Sequence, residues 1–442
     1  MKKASCPALF ISAPASGQGK TTVTAALVRL LKKQGKLVRV FKTGPDYLDP
    51  QILQQASGQP VEPLDMWMAG EEYCQQKLFE AAQVADLILI EGAMGLYDGS
   101  PSSADLAARF NIPLIILMDV SGMAQTAAAI AVGLANHRED IAVVGLIANN
   151  CGSDYHRQLI ADALPAELPL LLTLPRSKAI TLPERHLGLV QASEVYEELE
   201  LCLDAGADLL ESAGLDENGV EDLLAKLQVV EFSACQWPDV KPLLQGVSIG
   251  IAQDVAFSFI YQSNVQLLRD MGADIVYFSP LTEQVLPSVD ALWLPGGYPE
   301  LHAEKLSNNH VLNSQIKDFF LQDKPILAEC GGLLYCLQTL TDLQGRQFPM
   351  VGLLEGGGVM RDRGGCQGMQ SLPLPEGLIR AHAHHRSFSS GTPEPIACGV
   401  RQRHPAPGEE IYRQRGLTAS YLHLFFPSNP EAIAKLFRTN AL

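Results

Sequence analysis

The sequence predicts an α/β protein built from two doubly wound, mostly parallel-sheet domains. Three observations carry that prediction. Short apolar, β-rich runs alternate with helical patterns up to about residue 190, and again from Val247 onward, the texture of parallel sheets covered by helices. Residues 194–245 interrupt the alternation with acidic, leucine-rich segments. Finally, 442 residues of which 47% are apolar can bury more than one core.

In the first domain, residues 1–193, the strands are expected at Leu9–Ala13, Leu37–Phe41, Leu87–Ile90, Leu114–Met118 and Val143–Ile147. The span 194–245, with Val220–Val230 and then Cys235-Gln236-Trp237-Pro238, carries no chemical motif and reads as a linker. The second domain, residues 246–442, opens with a strand at Val247–Ala252 and a helix over Phe257–Asp270. Further strands are expected near Asp274–Tyr277, Ala291–Leu294 and Ile326–Ala328. Its last hundred residues are less regular, and Gly356-Gly357-Gly358 and Arg361-Asp362-Arg363-Gly364-Gly365 read as loops. There is no short-period repeat and no low-complexity tract.

Composition excludes several classes of function. With 49 acidic against 33 basic residues the formal charge is −16, which argues against nonspecific binding to nucleic acid or an anionic membrane. No apolar run approaches the roughly 18 residues of a membrane span, and the start resembles no signal peptide, so a cytoplasmic protein is expected. The nine cysteines form no Cys-x-x-Cys pair and suggest neither a zinc knuckle nor a disulfide framework. His382-Ala383-His384-His385 could ligate a metal but lacks a partner cluster at a familiar spacing.

The first chemical motif is Ser16-Gly17-Gln18-Gly19-Lys20-Thr21-Thr22, between an expected strand and an amphipathic helix. There, backbone N–H groups and the helix N-terminus can hold phosphate, so ATP is the expected ligand at Gly17, Gly19, Lys20, Thr21 and Thr22. Lys20 would reach the outer phosphates, and the Thr21 hydroxyl would bind Mg²⁺. Pro14 stands where the full eight-residue signature has its first glycine, which points to a variant loop path. Acidic groups follow at strand ends: Asp46 and Asp49 in Lys42-Thr43-Gly44-Pro45-Asp46-Tyr47-Leu48-Asp49-Pro50, Glu91, and Asp98 in Tyr97-Asp98-Gly99. Strand ends line the ligand crevice of an open parallel sheet, so Asp46 and Glu91 are candidates for holding Mg²⁺. Asp49 and Asp98 join the nucleotide site, and Lys42 could neutralise a substrate carboxylate or departing phosphate. The alternative for aspartates beside Gly and Pro is turn formation, which suits Asp98 best and Glu91 least.

The second motif is Leu327-Ala328-Glu329-Cys330-Gly331-Gly332, a cysteine at an expected strand-to-helix turn. Such a thiol is exposed and lies at a helix N-terminus that lowers its pKa, as a nucleophile needs. Leu294-Pro295-Gly296-Gly297-Tyr298 supplies Gly296 and Gly297 for an oxyanion site, with Gly331 beside the nucleophile. His423, closing the apolar run Ser420-Tyr421-Leu422-His423-Leu424, is the candidate base. Either residue alone would more often be structural. In this order within one domain they indicate a glutaminase, and with the phosphate loop a glutamine-dependent amide-forming ligase.

On these residues the chain resembles the cobyrinate a,c-diamide synthase family, including its hydrogenobyrinate-using members. The phosphate loop, Phe41–Pro50, Glu91-Gly92-Ala93-Met94-Gly95-Leu96-Tyr97-Asp98-Gly99 and the Cys330 and His423 segments carry the resemblance over nearly the whole chain, with Leu64-Asp65-Met66-Trp67-Met68 also matching. The resemblance implies an ATP-dependent synthetase domain similar to dethiobiotin synthetase and a class I glutamine amidotransferase domain. It implies as substrates glutamine, ATP and a corrinoid polycarboxylate whose c and a acetates become acyl phosphates and then amides. It further implies that ammonia travels inside the protein, and it leaves a homodimer and the presence of cobalt open. A related tetrapyrrole amidase and a phosphate-loop switch are the alternatives. The chain departs from relatives at Pro14, at Leu53 where a histidine is frequent, at Phe425 where many amidotransferases have a glutamate, and at Ala381–His385 where many read Gly-His-Glu-Phe-His.

Overall fold

The computed structural model describes residues 2–182, 184–185, 188–189, 191–235, 240–362 and 364–439. Gln236, Trp237 and Pro238 of the expected linker, and Arg363 of an expected loop, lie outside them. The chain divides into two units, Met1–Trp237 and Pro238–Leu442.

The first unit alternates strand and helix: β1 (Lys3–Ser12), α1 (Lys20–Lys33), β2 (Val38–Thr43), α2 (Leu48–Ser57), β3 (Glu62–Leu64), α3 (Glu71–Ala82), β4 (Leu87–Glu91), α4 (Ser103–Phe110), β5 (Leu114–Asp119), α5 (Gln125–Asn136), β6 (Val143–Asn149), α6 (Asp154–Ala163) and β7 (Leu170–Thr173). The strands lie in the order β3-β2-β4-β1-β5-β6-β7, all parallel. β2, β3 and β4 lie on one side of β1 and β5, β6 and β7 on the other, so the crevice of the switch point opens beside its carboxyl end, where the phosphate loop begins. β4 is buried along its whole length, as apolar runs covered on both faces must be.

After a two-residue ribbon, β8 (Glu184–Arg185) with β9 (Gly188–Leu189), come α7 (Tyr196–Ser212), α8 (Glu217–Lys226) and β10 (Val229–Ser233). The expected linker is therefore largely folded into the first unit. Leu199, Leu203, Ala207 and Leu210 of α7 fall on one helical stripe and join the core of α1. The helices approach so closely at Gly206 that a Cβ there would lie 2.8 Å from Ala26 Cβ. Arg29 adds an ion pair to Glu200 at 2.6 Å. β10 pairs antiparallel with Lys3–Pro7, the half of β1 that precedes its pairing with β4 and β5. The acidic outer faces of these helices had masked their apolar stripes.

The second unit contains β11 (Ser248–Ala252), α9 (Gln262–Asp270), β12 (Asp274–Phe278), β13 (Ala291–Leu294), α10 (Ala303–Asn308), α11 (His310–Leu321), β14 (Ile326–Glu329) and α12 (Gly331–Cys336). There follow β15 (Thr339–Thr341), β16 (Gln347–Pro349), β17 (Gly357–Met360), β18 (Gln367–Leu374), β19 (Gly377–His384), β20 (Ser387–Ser390), β21 (Ala397–Arg401), β22 (Pro407–Gln414), β23 (Leu417–Ser420), β24 (Leu422–Leu424) and α13 (Pro430–Leu436). The order β12-β11-β13-β14-β23 is parallel, and β22-β21-β18-β19-β24 extends it antiparallel. Only Tyr421 separates β23 from β24, so the antiparallel half closes back on the middle of the sheet.

Two local expectations change. Gly357 and Gly358, read as loop, begin strand β17 of a small sheet β16-β15-β17-β20. The helix expected from Phe257 starts at Gln262, because Phe257 and Phe259 form bridges to Asp254 and Gly296 instead.

Candidate active sites

At the end of β1 the chain turns through Gly17 (φ +77°) and Gly19 (φ +91°) before α1. A Cβ on Gly19 would also stand 2.4 Å from Asn149 Nδ2, so glycine is required there on both counts. Lys20 Nζ donates to the carbonyls of Ala15 (3.2 Å) and Met94 (2.7 Å), which folds the ammonium over the loop. Burial, then the Lys42 charge, lowers its pKa to about 8.

Beside it lies a buried ionic cluster. Lys42 Nζ is 2.6 Å from Glu91 Oε1 and 2.8 Å from Asp49 Oδ2. Burial opposes the Lys42 charge, but Glu91 and Asp49 outweigh it and hold the ammonium protonated. Thr21 donates its hydroxyl to the same Glu91 oxygen at 2.8 Å. Burial raises Glu91 despite Lys42, and Glu91 Oε2 is a buried oxygen without a hydrogen bond. Burial also raises Asp49, but Lys42 more than reverses this and leaves it below the ordinary carboxylate range. Asp46 is pushed up to about 7 by burial and by Asp49, and its Oδ1 accepts the N–H groups of Leu48 and Asp49 at the start of α2.

The remaining placements are more local. Asp98 Oδ2 accepts Gly95 N–H at 2.9 Å, a turn contact of the kind expected as its alternative. Sequence reasoning passed over four neighbours of the loop. Gln18 accepts Asp119 N–H through its side chain and Asn149 Nδ2 through its carbonyl, while Asn150 donates to Asp119 at 2.8 Å. Asn149 and Asn150 close an apolar strand as Glu91 does, and that shared signal could have found them.

In the second unit, Cys330 sits between β14 and α12 at φ +47°, ψ −101°. A non-glycine residue at positive φ marks a strained elbow, costing on the order of 1–3 kcal/mol. Its N–H is held by Ser420 O at 2.8 Å. The close packing of the glycine turns brings the other expected residues here. A Cβ on Gly332 would lie 2.0 Å from Leu294 O, and one on Gly331 3.0 Å from Gly297 N. One on Gly296 would lie 2.3 Å from His423 Cε1. Cys330, Gly331, Gly296, Gly297 and His423 thus lie together around these turns.

The electrostatics differ from expectation. Cys330 is buried, and desolvation followed by Glu300 pushes its thiol well up, with only the Gly331 N–H acting the other way among the larger effects. Burial also lifts Glu300 to about 7 and Glu329 to about 8. His423 is driven well below its usual range by burial and by His382, His384 and His385, so it rests neutral.

The histidine run His382–His385, the metal candidate of the sequence, lies against this site. β19 and β24 pair His382 with His423, and their rings stack with centroids 5.0 Å apart. His385 stacks on Tyr421 at 4.1 Å and meets Glu409 at 3.2 Å. Among the described residues no group of three or more His, Cys, Asp or Glu could hold a metal ion. A cavity of about 630 Å³ reaches His385 and Glu409 between Arg361 and Arg401.

Comparison with known proteins accounts for both units. Residues 9–190 match the CobQ/CobB/MinD/ParA nucleotide binding domain, and residues 248–431 the CobB/CobQ-like glutamine amidotransferase domain. Hydrogenobyrinate a,c-diamide synthase of Stutzerimonas stutzeri (strain A1501) is 49% identical over 438 residues, covering 99% of this chain and 100% of that protein. The chain belongs to the a,c-diamide synthase family. The hydrogenobyrinate a,c-diamide synthase of Pseudomonas aeruginosa is 47% identical, with 99% and 98% of the two chains covered. The cobyrinate a,c-diamide synthase of Herminiimonas arsenicoxydans is 44% identical, with 97% and 96% covered. As a member of this family the chain is a glutamine-hydrolysing ligase with a nucleotide-binding domain. In this chain Leu53 packs fully buried in the core under α2, and Ala381 and Ala383 are buried on β19. No helix among the described residues is long and apolar enough to cross a membrane.

Proposed function

We propose that this chain converts the a- and c-acetates of hydrogenobyrinate or cobyrinate to amides, using ATP, Mg²⁺ and glutamine, as a cytoplasmic enzyme. The end-to-end similarity to a,c-diamide synthases, in a chain that keeps both constellations, carries the reading. The relatives at 49% and 47% identity are named for hydrogenobyrinate, which supports the metal-free corrin as the preferred substrate.

Gly17, Gly19 and the first turn of α1 hold the ATP phosphates, with Lys20 and Thr22 beside them. The buried Glu91 Oε2 without a hydrogen bond and the neighbouring Thr21 hydroxyl fit a Mg²⁺ bound by few protein oxygens and the phosphates. When bound, Mg²⁺ neutralises charge on the transferring phosphoryl group. Lys42 fixes Glu91 and Asp49, and Asp46 shapes the start of α2 behind them. Phosphoryl transfer to an acetate gives an acyl phosphate, which ammonia attacks at carbon to expel phosphate.

In the second unit, the protonated thiol of Cys330 loses its proton to neutral His423 as sulfur attacks the glutamine amide carbon. N–H groups of the Gly296-Gly297 turn and of Gly331 receive the developing oxyanion. His423 returns the proton to the departing ammonia, and water then releases glutamate. Arg361 and Arg401 suit the α-carboxylate of glutamine, and Glu409 its α-ammonium group.

The deciding experiment offers purified protein ATP, Mg²⁺, glutamine and either corrin, and counts amides on the product by mass spectrometry. Two added amides, formed faster on hydrogenobyrinate, are expected. No amide on either corrin, with glutamine hydrolysis intact, would overturn the substrate.

A further inference from the structure

Phe425 stands where many amidotransferases carry the glutamate that orients their histidine. β24, which carries His423, ends its sheet with β19 as its ladder partner. The main-chain groups on its other side are buried, and such a group left without a partner costs roughly 1–3 kcal/mol.

Two buried side chains supply those partners. Glu329 Oε1 accepts the N–H of Leu424 at 2.9 Å. Asn264 donates to the Leu424 carbonyl at 2.8 Å and accepts the Phe426 N–H at 2.8 Å. The second Glu329 oxygen accepts the indole N–H of Trp293 at 2.9 Å. Trp293 is fully buried on β13 and packs on Phe426 with ring centroids 4.6 Å apart. Both carboxyl oxygens are thus anchored to fixed elements.

The sequence positions turn this anchor into a link. Glu329 immediately precedes Cys330, and Leu424 immediately follows His423. β14 pairs with β13 and with β23 as far as Ser420, whereas β24, beyond Tyr421, pairs with β19, so no ladder joins the strand of His423 directly to that of Cys330. Glu329 makes that direct tie with one side chain, while His382 stacks on the imidazole.

We infer that Glu329 is the positioning residue of the glutaminase pair, its carboxyl group holding the His423 strand in register with Cys330. It does through the main chain what a carboxylate bonded to the imidazole does in a catalytic triad. This inference rests on Cys330 and His423 being nucleophile and base.

The test compares Glu329→Ala, Glu329→Gln and the double variant Glu329→Gln/Trp293→Phe in the full chain. Glutamine's amide oxygen can still accept the Leu424 N–H, but its NH₂ group then faces the indole N–H, and Trp293→Phe removes that conflict. Glu329→Ala is expected to lower kcat for glutamine hydrolysis about 100-fold, the effect of an ångström-scale misplacement, with KM changed by less than about threefold. Ammonia-dependent amidation should stay at the parental rate. The double variant should recover to within about tenfold of the parent kcat, ahead of Glu329→Gln alone.

Parental kcat in Glu329→Ala, or a double variant as impaired as Glu329→Ala, would overturn the inference. Should Glu329→Ala fail to fold, the double variant decides alone, since it keeps the acceptor for Leu424. A Cys330→Ala control separates the two levels. Glutamine hydrolysis surviving in it would overturn the nucleophile and the inference together; an inert control beside a fully active Glu329→Ala would overturn the inference only.

Discussion

Replacing Gly296 by alanine is expected to damage glutamine hydrolysis and to spare ammonia-dependent amidation. The added Cβ would fall 2.3 Å from His423 Cε1 and 2.9 Å from Nδ1, with Phe259 Cδ2 at 3.3 Å. Gly296 has no left-handed backbone conformation to protect, so the effect is steric alone. Its carbonyl is tied to Phe259 N–H at 3.1 Å, which leaves the imidazole to move. Restoring ordinary carbon contact of roughly 3.5 Å requires a displacement of about 1 Å. The ring cannot slide freely, because His382 stacks on it at 5.0 Å and Phe259 lies 5.9 Å away. A shift of that size is expected to cost about 100-fold in kcat, or about 2.7 kcal/mol in the barrier. The assay is steady-state glutamine hydrolysis, with ammonia-dependent amidation measured on the same preparation. A glutamine kcat within about twofold of the parent would refute the placement of His423 against this turn. Parallel loss of both activities would refute the steric argument by showing a general folding defect.

Other expectations follow from the same geometry. Cys330→Ala should abolish amidation from glutamine and retain amidation from ammonia, counted as amides on the corrin; loss with both donors would show that the sites are not separable. Glu91→Gln should weaken the Mg²⁺ dependence of ATP turnover by about 10- to 100-fold while glutamine hydrolysis persists, and unchanged corrinoid-dependent ATP hydrolysis would remove Glu91 from the metal site. Lys42→Met strands the buried carboxylates of Glu91 and Asp49 and should destabilise the first unit by about 3–5 kcal/mol, read as an earlier urea transition. Because His423 stays neutral to well below pH 6.5, the acid limb of glutamine hydrolysis should lie below that pH; a limb at or above 6.5 would contradict its buried setting. The same depression, with His382 lowered to about 3 by burial and then His384, acts on stability. The unfolded chain takes up these protons near pH 6.5 and the fold does not, so their contribution is complete above that pH and is lost as pH falls.

Local signals were strong where one strand end carries the chemistry. Glu91 was legible because a carboxylate closing an apolar strand has no turn to form, and it lies fully buried against Lys42. Cys330 was legible as an elbow because glycines follow it, and Gly332 packs against Leu294 O as only glycine can. The linker was misread because α7 shows solvent an acidic face, and its stripe acquires meaning only when α1 is there to receive it. The pKa of Cys330 was misread for a related reason. A helix start favours a thiolate, but burial beside Glu300 and Glu329 opposes it, and burial is a property of the packed unit.

The sequence by itself determined the alternation of strand and helix, the two chemical motifs and, through the resemblance those motifs carry, the family. These depend on side-chain periodicity and on loops a few residues long, both of which are local in the chain. Only the tertiary structure decided that Glu329 reaches Leu424 and that His382 faces His423. Those contacts join residues 95 and 41 positions apart. They arise because β23 hands the chain to β24 across the single residue Tyr421, and no local pattern specifies where a strand goes after it leaves its partner.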